Sequence, residues 1–266
     1  MNFEYTQRNV PGLSIVDLED FEYDLEGCKC EGECRPSTSE DSLGLYGTQN
    51  YDADGRLLLE SNSVVPILEC HENCSCSKKC GNRAAQFGLQ FKVEVGKNTN
   101  ESALSSQPFL STNGKGIGLR ALESIERGRF LIEYSGEIIS AIEAKKRSME
   151  YKSTDQQHHY IFTLNEHTGD ECHQTFIDAT KFGNLARFCN HSCDPNLQPM
   201  ILRYGRSIPV MALFACRDIQ VGDELAYDYG KLTANRSNLQ DGKPCRCDAS
   251  NCRGFLPTAD YVVEKE

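Results

Sequence analysis

Between residues 115 and 230 the apolar residues gather into short runs, several alternating with polar positions, and Gly, Asn, Asp and Pro separate the runs. That spacing predicts β-strands at RFLIEY (129–134), HYIFTL (159–164), QTFIDA (174–179), VMALFACRDI (210–219) and ELAYDY (224–229). Upstream, LQFKVEV (89–95) alternates in the same way. One helix interrupts the series. SAIEAKKRSMEYK (140–152) carries Ser140 at the N-cap, Glu143 three residues on as in a capping box, and Lys and Arg toward its end.

Outside this block the pattern fades. Residues 28–80 lack the periodicity of regular elements, and cysteines stand where a core would be. Residues 1–27 are acidic with scattered aromatics (Phe3, Tyr5, Phe21, Tyr23), which fits an arm laid over a core or a frayed terminus. Residues 96–114 are rich in Ser, Asn, Thr and Gly, as a surface loop would be, and 231–244 form a polar linker to the last cysteines.

At 266 residues the chain is one large domain or a core with appendages. An apolar fraction of 39% and a charged fraction of 25% exclude collagen, coiled coil and wholesale disorder. No run approaches the roughly 18 apolar residues of a membrane span, and the start lacks the basic-then-apolar pattern of a signal peptide, so the chain reads as intracellular. The net charge is −11, and residues 1–80 hold 16 acidic against 6 basic side chains. Duplex DNA would be repelled, while a Lys/Arg-rich tail would be attracted. The plain alternative is an acidic surface that only keeps the protein soluble.

Fourteen cysteines decide the redox question. Cys28-x-Cys30-x3-Cys34 recurs as Cys74-x-Cys76-x3-Cys80, with Cys70 ahead of it, and Cys245-x-Cys247-x4-Cys252 lies near the end. Cysteines one residue apart are poor disulfide partners but can share a tetrahedral thiolate site, which points to zinc. Cys172, Cys189 and Cys216 fall outside the clusters and read as small apolar residues.

NLARFCNHSCDPN (184–196) and ELAYDYG (224–230) resemble the signatures of SET-domain protein-lysine methyltransferases, and KGIGLRALESIERGRFLIEYSGEII (115–139) precedes them in that family's order. The flanking cysteines resemble its pre-SET and post-SET zinc modules. The resemblance implies a mostly β, β-rich α+β fold: small curled sheets with a pseudoknot, between zinc-cysteine modules. It divides the chain into an arm (1–27), a pre-SET module (28–88), a SET domain (89–230, with 96–114 inserted) and a linker with post-SET module (231–266).

Gly116-x-Gly118 lets backbone approach a ligand, although alone such a pair equally marks a turn into a strand. In the family this loop holds S-adenosylmethionine. Lys115, Gly116, Ile117, Gly118, Tyr160, Arg187, Asn190, His191 and Arg246 are therefore the implied cofactor contacts. The reaction needs alignment of an amine with a sulfonium methyl more than it needs a base. Tyr229 matches the tyrosine that orients the amine, and Tyr160 another that lines the channel. Tyr227 stands where relatives carry Phe or Tyr, and its hydroxyl would crowd the pocket after one or two methyl groups.

The resemblance also exposes a departure. The full pre-SET module uses nine cysteines on three zinc ions, and its central Cys-x-Cys pair here falls on Ser39 and Asp41. Seven cysteines (Cys28, Cys30, Cys34, Cys70, Cys74, Cys76, Cys80) would close two zinc sites through one bridging thiolate, with Asp41 or His71 as the alternative route to a third ion. Cys245, Cys247 and Cys252 supply three ligands to a last zinc, and Cys193 is the family's fourth.

The implied function is methylation of a lysine on the histone H3 tail, taken to be the ninth-position lysine, by a monomeric enzyme of nuclear chromatin. Its partner would be a histone tail or nucleosome, with neither a membrane nor sequence-specific nucleic acid. The position thirty-six lysine, a non-histone lysine or a catalytically silent tail-binding module are the alternatives.

Overall fold

The structure is a computed structural model and describes residues 3–12, 21, 24–34, 50–58, 66–97, 115–153, 160–168, 171–230 and 243–257. In chain order the strands are β1 (Glu4–Tyr5), β2 (Val10–Pro11), β3 (Ile67–Leu68), β4 (Val93–Lys97), β5 (Ile117–Ala121), β6 (Phe130–Tyr134), β7 (Glu137–Ile139), β8 (Ile161–Thr168), β9 (Glu171–Asp178), β10 (Phe182–Gly183), β11 (Asn190–His191), β12 (Leu197–Arg203), β13 (Val210–Ala215) and β14 (Ala226–Tyr227). One α-helix, α1 (Ala141–Ser153), lies among them. The mostly β architecture read from the sequence is thus the observed one. No helix among the described residues is long and apolar enough to cross a membrane.

The largest sheet runs β11-β14-β12-β13-β6, with β3 also paired to β12. A second sheet runs β2-β7-β9-β8, and β4-β5 and β1-β10 form two small pairs. Every residue of β6 is buried, as is β13 from Met211 onward. Their side chains join Leu119, Ile125, Ile177, Leu197 and Leu225 in the main core. Full burial of such a side chain contributes roughly 1.5–3 kcal/mol, which makes this apolar centre the chief support of the fold.

Two expectations needed adjustment. LQFKVEV is displaced to Val93–Lys97, and of ELAYDY only Ala226–Tyr227 pairs as a strand. Strand β12 (LQPMILR) was not anticipated, because Pro199 argues against an interior strand. It is accommodated because β12 pairs along one edge with β13. The opposite edge is met only near its ends, by β14 at Leu197 and by β3 at Leu202 and Arg203. Pro199 falls between those contacts, where no ladder bond is asked of it.

Helix α1 begins at the predicted place, with the Glu143 amide donating to Ser140 Oγ at 3.3 Å. The reciprocal half of the capping box is replaced: the Glu143 carboxylate accepts from Arg147 Nε at 2.9 Å. Arg147 Nη1 also reaches Glu137 at 2.8 Å and Asp178 at 2.9 Å, tying the helix to β7 and β9. Removing one member of such a buried ion group leaves the others unpaired, which costs about 3–5 kcal/mol.

Residues 3–12 are an arm laid over the core. Glu4–Tyr5 run parallel to Phe182–Gly183, and Val10–Pro11 run parallel to Glu137–Ile138. In the cysteine-rich part, Glu69 is fully buried and accepts from Tyr51 Oη at 2.5 Å and from the Ala84 and Ala85 amides at 3.0 and 2.9 Å. These bonds tie the module to itself, and the pairing of β3 with β12 fastens it to the largest sheet. Most of the 96–114 loop and of the 231–244 linker lies outside the described residues.

Glu133 on β6 is buried, with Oε2 accepting from Tyr204 Oη at 2.7 Å and Oε1 lacking a hydrogen-bond partner. Burial pushes its carboxyl up to about 7, against the opposing pull of the Tyr204 hydrogen bond and Arg8. The folded state therefore keeps this proton to higher pH than the unfolded chain, whose value is near 4.5. The stability it contributes is complete below that value and is lost as pH rises through about 7, on the order of 3 kcal/mol in all. Urea denaturation of Glu133→Gln is expected to give a flatter stability curve between about pH 5 and 8. A variant as steep as wild type would contradict this.

Candidate active site and metal centres

Asn184 opens the segment that builds the site. Its Oδ1 accepts from the Ala186 amide at 3.1 Å, and its Nδ2 donates to Glu133 O at 2.7 Å and to Ser135 Oγ at 3.0 Å. The following turn (Leu185–Phe188) delivers β11, which pairs in parallel with β14, Asn190 against Ala226 and His191 against Tyr227. Asn196 locks the far side: its amide donates to Ala226 O at 3.2 Å, its Oδ1 accepts from Ala226 N at 2.9 Å, and its Nδ2 donates to Glu224 O at 2.8 Å. Residues 28 to 36 positions apart in sequence are thereby brought together.

Four aromatic rings line up where they meet. Tyr134 lies 5.9 Å from Phe162, Phe162 lies 6.0 Å from Tyr227, and Tyr227 lies 4.8 Å from Tyr229. Tyr229 keeps 38% of its surface exposed, yet its hydroxyl turns inward and donates to Cys189 O at 2.8 Å. Tyr134 Oη donates to Tyr160 O at 2.8 Å. Burial drives the phenols of Tyr134, Tyr227 and Tyr229 well above their ordinary value, so all three stay protonated at neutral pH. They can orient and hydrogen-bond, but they are poor bases. The structure brings Tyr227 and Tyr229, which sequence reasoning named, together with Tyr134 and Phe162, which it did not. Their only signal was an aromatic in each of two predicted strands.

His191 joins the rings to the cysteines. Its Nδ1 accepts from the Tyr229 amide at 3.2 Å, so the neutral ring carries its proton on Nε2, which faces Cys193 Sγ at 3.3 Å. Burial is the main influence on it and lowers its pKa to about 4 against the pull of Asp228. Asp228 is engaged by Arg253 Nη2 at 2.5 Å, and Arg253 Nη1 donates to Gly230 O at 3.2 Å. The last cysteine segment is thus fastened to the ring-bearing strand.

A second group surrounds Glu224. Lys115 Nζ lies 3.0 Å from Glu224 Oε2, and Asn190 Nδ2 donates to Glu224 Oε1 at 2.7 Å and to Ile117 O at 3.2 Å. Gly116 has φ +91°, a left-handed conformation that glycine adopts without strain. Gly118 is buried and pairs with Gly96 of β4. Glu224, the hub of this group, gave no signal in the sequence because its partners are distant along the chain.

Arg187 is buried, at 7% exposure, and its guanidinium lies 4.0 Å from the Tyr160 ring centre. Nε and Nη1 have no hydrogen-bond partner. Stacking on aromatic faces contributes about 2 kcal/mol or more for a desolvated cation, which does not cover several kcal/mol of lost hydration. Nε–H and Nη1–H project from different edges of the plane, and each is left for an acceptor. Arg246, by contrast, is exposed on the terminal cysteine loop, between Cys245 and Cys247.

The cysteines converge into groups whose sulfurs lie within 4.8 Å of one another: Cys28/Cys70/Cys74/Cys76, Cys34/Cys70/Cys76/Cys80, Cys28/Cys30/Cys34 and Cys193/Cys245/Cys247/Cys252. Ligands about 2.3 Å from one zinc in a tetrahedron stand about 3.8 Å apart, and Cys193 Sγ and Cys245 Sγ stand 3.9 Å apart. The donors therefore suit zinc. Main-chain amides support several sulfurs, including Arg253 N to Cys193 at 3.4 Å and Cys28 N to Cys74 at 3.2 Å. The two four-sulfur groups of the pre-SET region overlap at Cys70 and Cys76. Cys30 falls outside both, beside Cys28 and Cys34. His71 enters no such group, and Asp41 lies outside the described residues.

Residues 116–230 match the SET domain family, and residues 1–83 match the Pre-SET motif. The Probable histone-lysine N-methyltransferase set-23 of Caenorhabditis briggsae is 37% identical over 99% of this chain and 100% of its own. Histone-lysine N-methyltransferase SETMAR of Rattus norvegicus is 36% identical over 96% of this chain and 79% of its own. The solved methyltransferase domain of human SETMAR superposes with a TM-score of 0.76 at 34% identity, covering 97% of this chain and 90% of that one. The chain belongs to the SET-domain histone-lysine N-methyltransferases.

As an S-adenosylmethionine-dependent protein-lysine methyltransferase, it must hold an amino-acid carboxylate as well as a sulfonium and a nucleoside. The solved Arabidopsis thaliana SUVH6, 27% identical with a TM-score of 0.71 over 96% of this chain and 50% of that one, is in complex with SAM. In this methyltransferase a buried arginine with an unpartnered donor suits such a carboxylate, so the residues present fit the cofactor.

Proposed function

We propose that this enzyme methylates a lysine of the histone H3 tail, with the ninth-position lysine as target and the mono- or dimethyl state as product. The convergence of β11 and β14, which sets an orphaned arginine and a row of tyrosines on one site, is the observation that carries this reading. S-adenosylmethionine, when bound, supplies a methyl group on a sulfonium, already a good electrophile.

Arg187 takes the cofactor carboxylate. Lys115, Gly116, Ile117 and Gly118 present the approach loop, Asn190 and His191 the facing strand, and Arg246 closes from the terminal module. Substrate lysine enters among Tyr134, Tyr160, Phe162, Tyr227 and Tyr229, where poor hydration favours the neutral amine over the ammonium. The Tyr229 hydroxyl gives its proton to Cys189 O and keeps lone pairs free to accept an amine N–H. That contact turns the nitrogen lone pair toward the methyl group. The Tyr227 hydroxyl occupies space that a third methyl group would need.

The target follows from the relatives and from charge. Drosophila pseudoobscura pseudoobscura Su(var)3-9 is 32% identical over 96% of this chain and 39% of its own. KRYPTONITE was solved in complex with mCHH DNA, an H3(1-15) peptide and SAH, at 27% identity and a TM-score of 0.67 over 96% of this chain and 47% of that one. That peptide contains the ninth residue and ends well before the thirty-sixth. A net charge of −11 suits a basic tail and disfavours sequence-specific contact with duplex DNA. The setting is nuclear chromatin and the unit a monomer. Its domains are an arm (1–27), a pre-SET module (28–88), a catalytic domain (89–230) and a post-SET segment (231–266). Two zinc ions occupy the pre-SET groups and one the terminal group.

Mass spectrometry of H3 peptides centred on positions nine and thirty-six tests the reading. Wild type is expected to convert the first to mono- and dimethyl forms, and Tyr227→Phe to carry it on to trimethyl. Tyr229→Phe is expected to lose on the order of a hundredfold in kcat while still binding cofactor. Preference for the second peptide, or a trimethyl product from wild type, would contradict the proposal. Elemental analysis is expected to return three zinc ions per chain. A fourth would mean that Cys28, Cys30 and Cys34 also hold one, against the two-zinc pre-SET reading.

A further inference from the structure

Two aromatic rings pack against the Arg187 guanidinium: the centre of the Tyr160 ring lies 4.0 Å from the guanidinium carbon, and that of the Phe3 ring 4.2 Å from it. Phe3 also meets Phe188 edge to face at 5.8 Å. A planar cation packed against two aromatic rings has little freedom to turn, so its unpaired donors Nε and Nη1, on different edges of the plane, each keep a fixed direction.

Phe3 is held there by the main chain that follows it. The Glu4 amide donates to Lys181 O at 2.7 Å and the Thr6 amide to Gly183 O at 2.8 Å. Ser135 Oγ donates to Gln7 O at 2.9 Å, the Gly136 amide to Asn9 Oδ1 at 3.0 Å, and the Val10 amide to Gly136 O at 3.0 Å. These bonds run to residues within the SET match, although Phe3 itself lies outside it. The arm is therefore stitched along the catalytic domain, and the Phe3 ring is held against the Arg187 guanidinium.

We infer that Phe3 is a positioning residue for the methyl donor: it clamps Arg187 against Tyr160 and so presents the guanidinium edge to the cofactor carboxylate. This rests on the reading of Arg187 given above and extends the cofactor site into the amino-terminal arm. An unclamped guanidinium would swing among rotamers, and donor binding would weaken with little change in how the peptide is held.

The test is calorimetric titration of S-adenosylhomocysteine, alongside steady-state kinetics, into the full-length protein and its Phe3→Leu, Phe3→Trp and Arg187→Gln variants. Phe3→Leu is expected to weaken binding about five- to tenfold and to raise the cofactor KM by a like factor, well beyond any change in kcat or peptide KM. Phe3→Trp is expected to restore binding to within about twofold of wild type, because an aromatic face returns. Unchanged binding in Phe3→Leu, with Arg187→Gln weakened, overturns the role of Phe3 alone. Unchanged binding in Arg187→Gln overturns the carboxylate assignment itself. Failure of Phe3→Trp to restore binding, or equal losses in cofactor and peptide KM with a lowered Tm, would show that Phe3 only supports the fold.

Discussion

One imidazole couples the end of the chain to its centre. His191 receives the Tyr229 amide on Nδ1 and turns Nε2 toward Cys193, whose sulfur converges with Cys245, Cys247 and Cys252. A metal on those four sulfurs would therefore hold one end of the ring, and the strand bearing Tyr227 and Tyr229 would hold the other. Because the ring is buried and neutral, its two nitrogens have fixed and opposite roles. The tyrosine row depends on that fixity, since the Tyr229 hydroxyl can only point inward while its backbone is held.

The chemistry asked of the protein is modest, and the structure matches it in kind. The buried tyrosines hold their protons, and Asp228, between Tyr227 and Tyr229 in sequence, is engaged by Arg253. What the site offers is placement: an arginine edge on one side, a left-handed glycine approach beside Asn190, and a hydroxyl with free lone pairs on the other. Buried charge is used sparingly elsewhere, as in the Arg147 cluster that pins the only described α-helix.

Much of this was legible in the sequence, for reasons that differ by element. The strand runs showed because their faces are buried with period two, and the helix start showed because Ser140 caps it. The long NLARFCNHSCDPN string placed the site, and the Cys-x-Cys spacings announced thiolate clusters. Strand β12 stayed hidden behind Pro199, which is harmless only because of how β14 and β3 meet that edge. Glu224, Tyr134 and Phe3 stayed hidden because their roles come from partners far away along the chain. The cysteine grouping was legible as a whole, but its internal overlap was not: Cys28, Cys34, Cys70 and Cys76 each fall in two groups, and no spacing rule forecasts that.

The central claim is that the terminal cysteine group and the tyrosine site are one mechanical unit. It is tested most directly by replacing Cys252, the ligand farthest from His191 in the sequence, with serine and measuring zinc content and methyl transfer on the same preparation. The account expects one zinc ion fewer and methyl transfer reduced on the order of a hundredfold or more, with the rest of the fold intact by circular dichroism. Loss of that zinc ion with methyl transfer undiminished would contradict it.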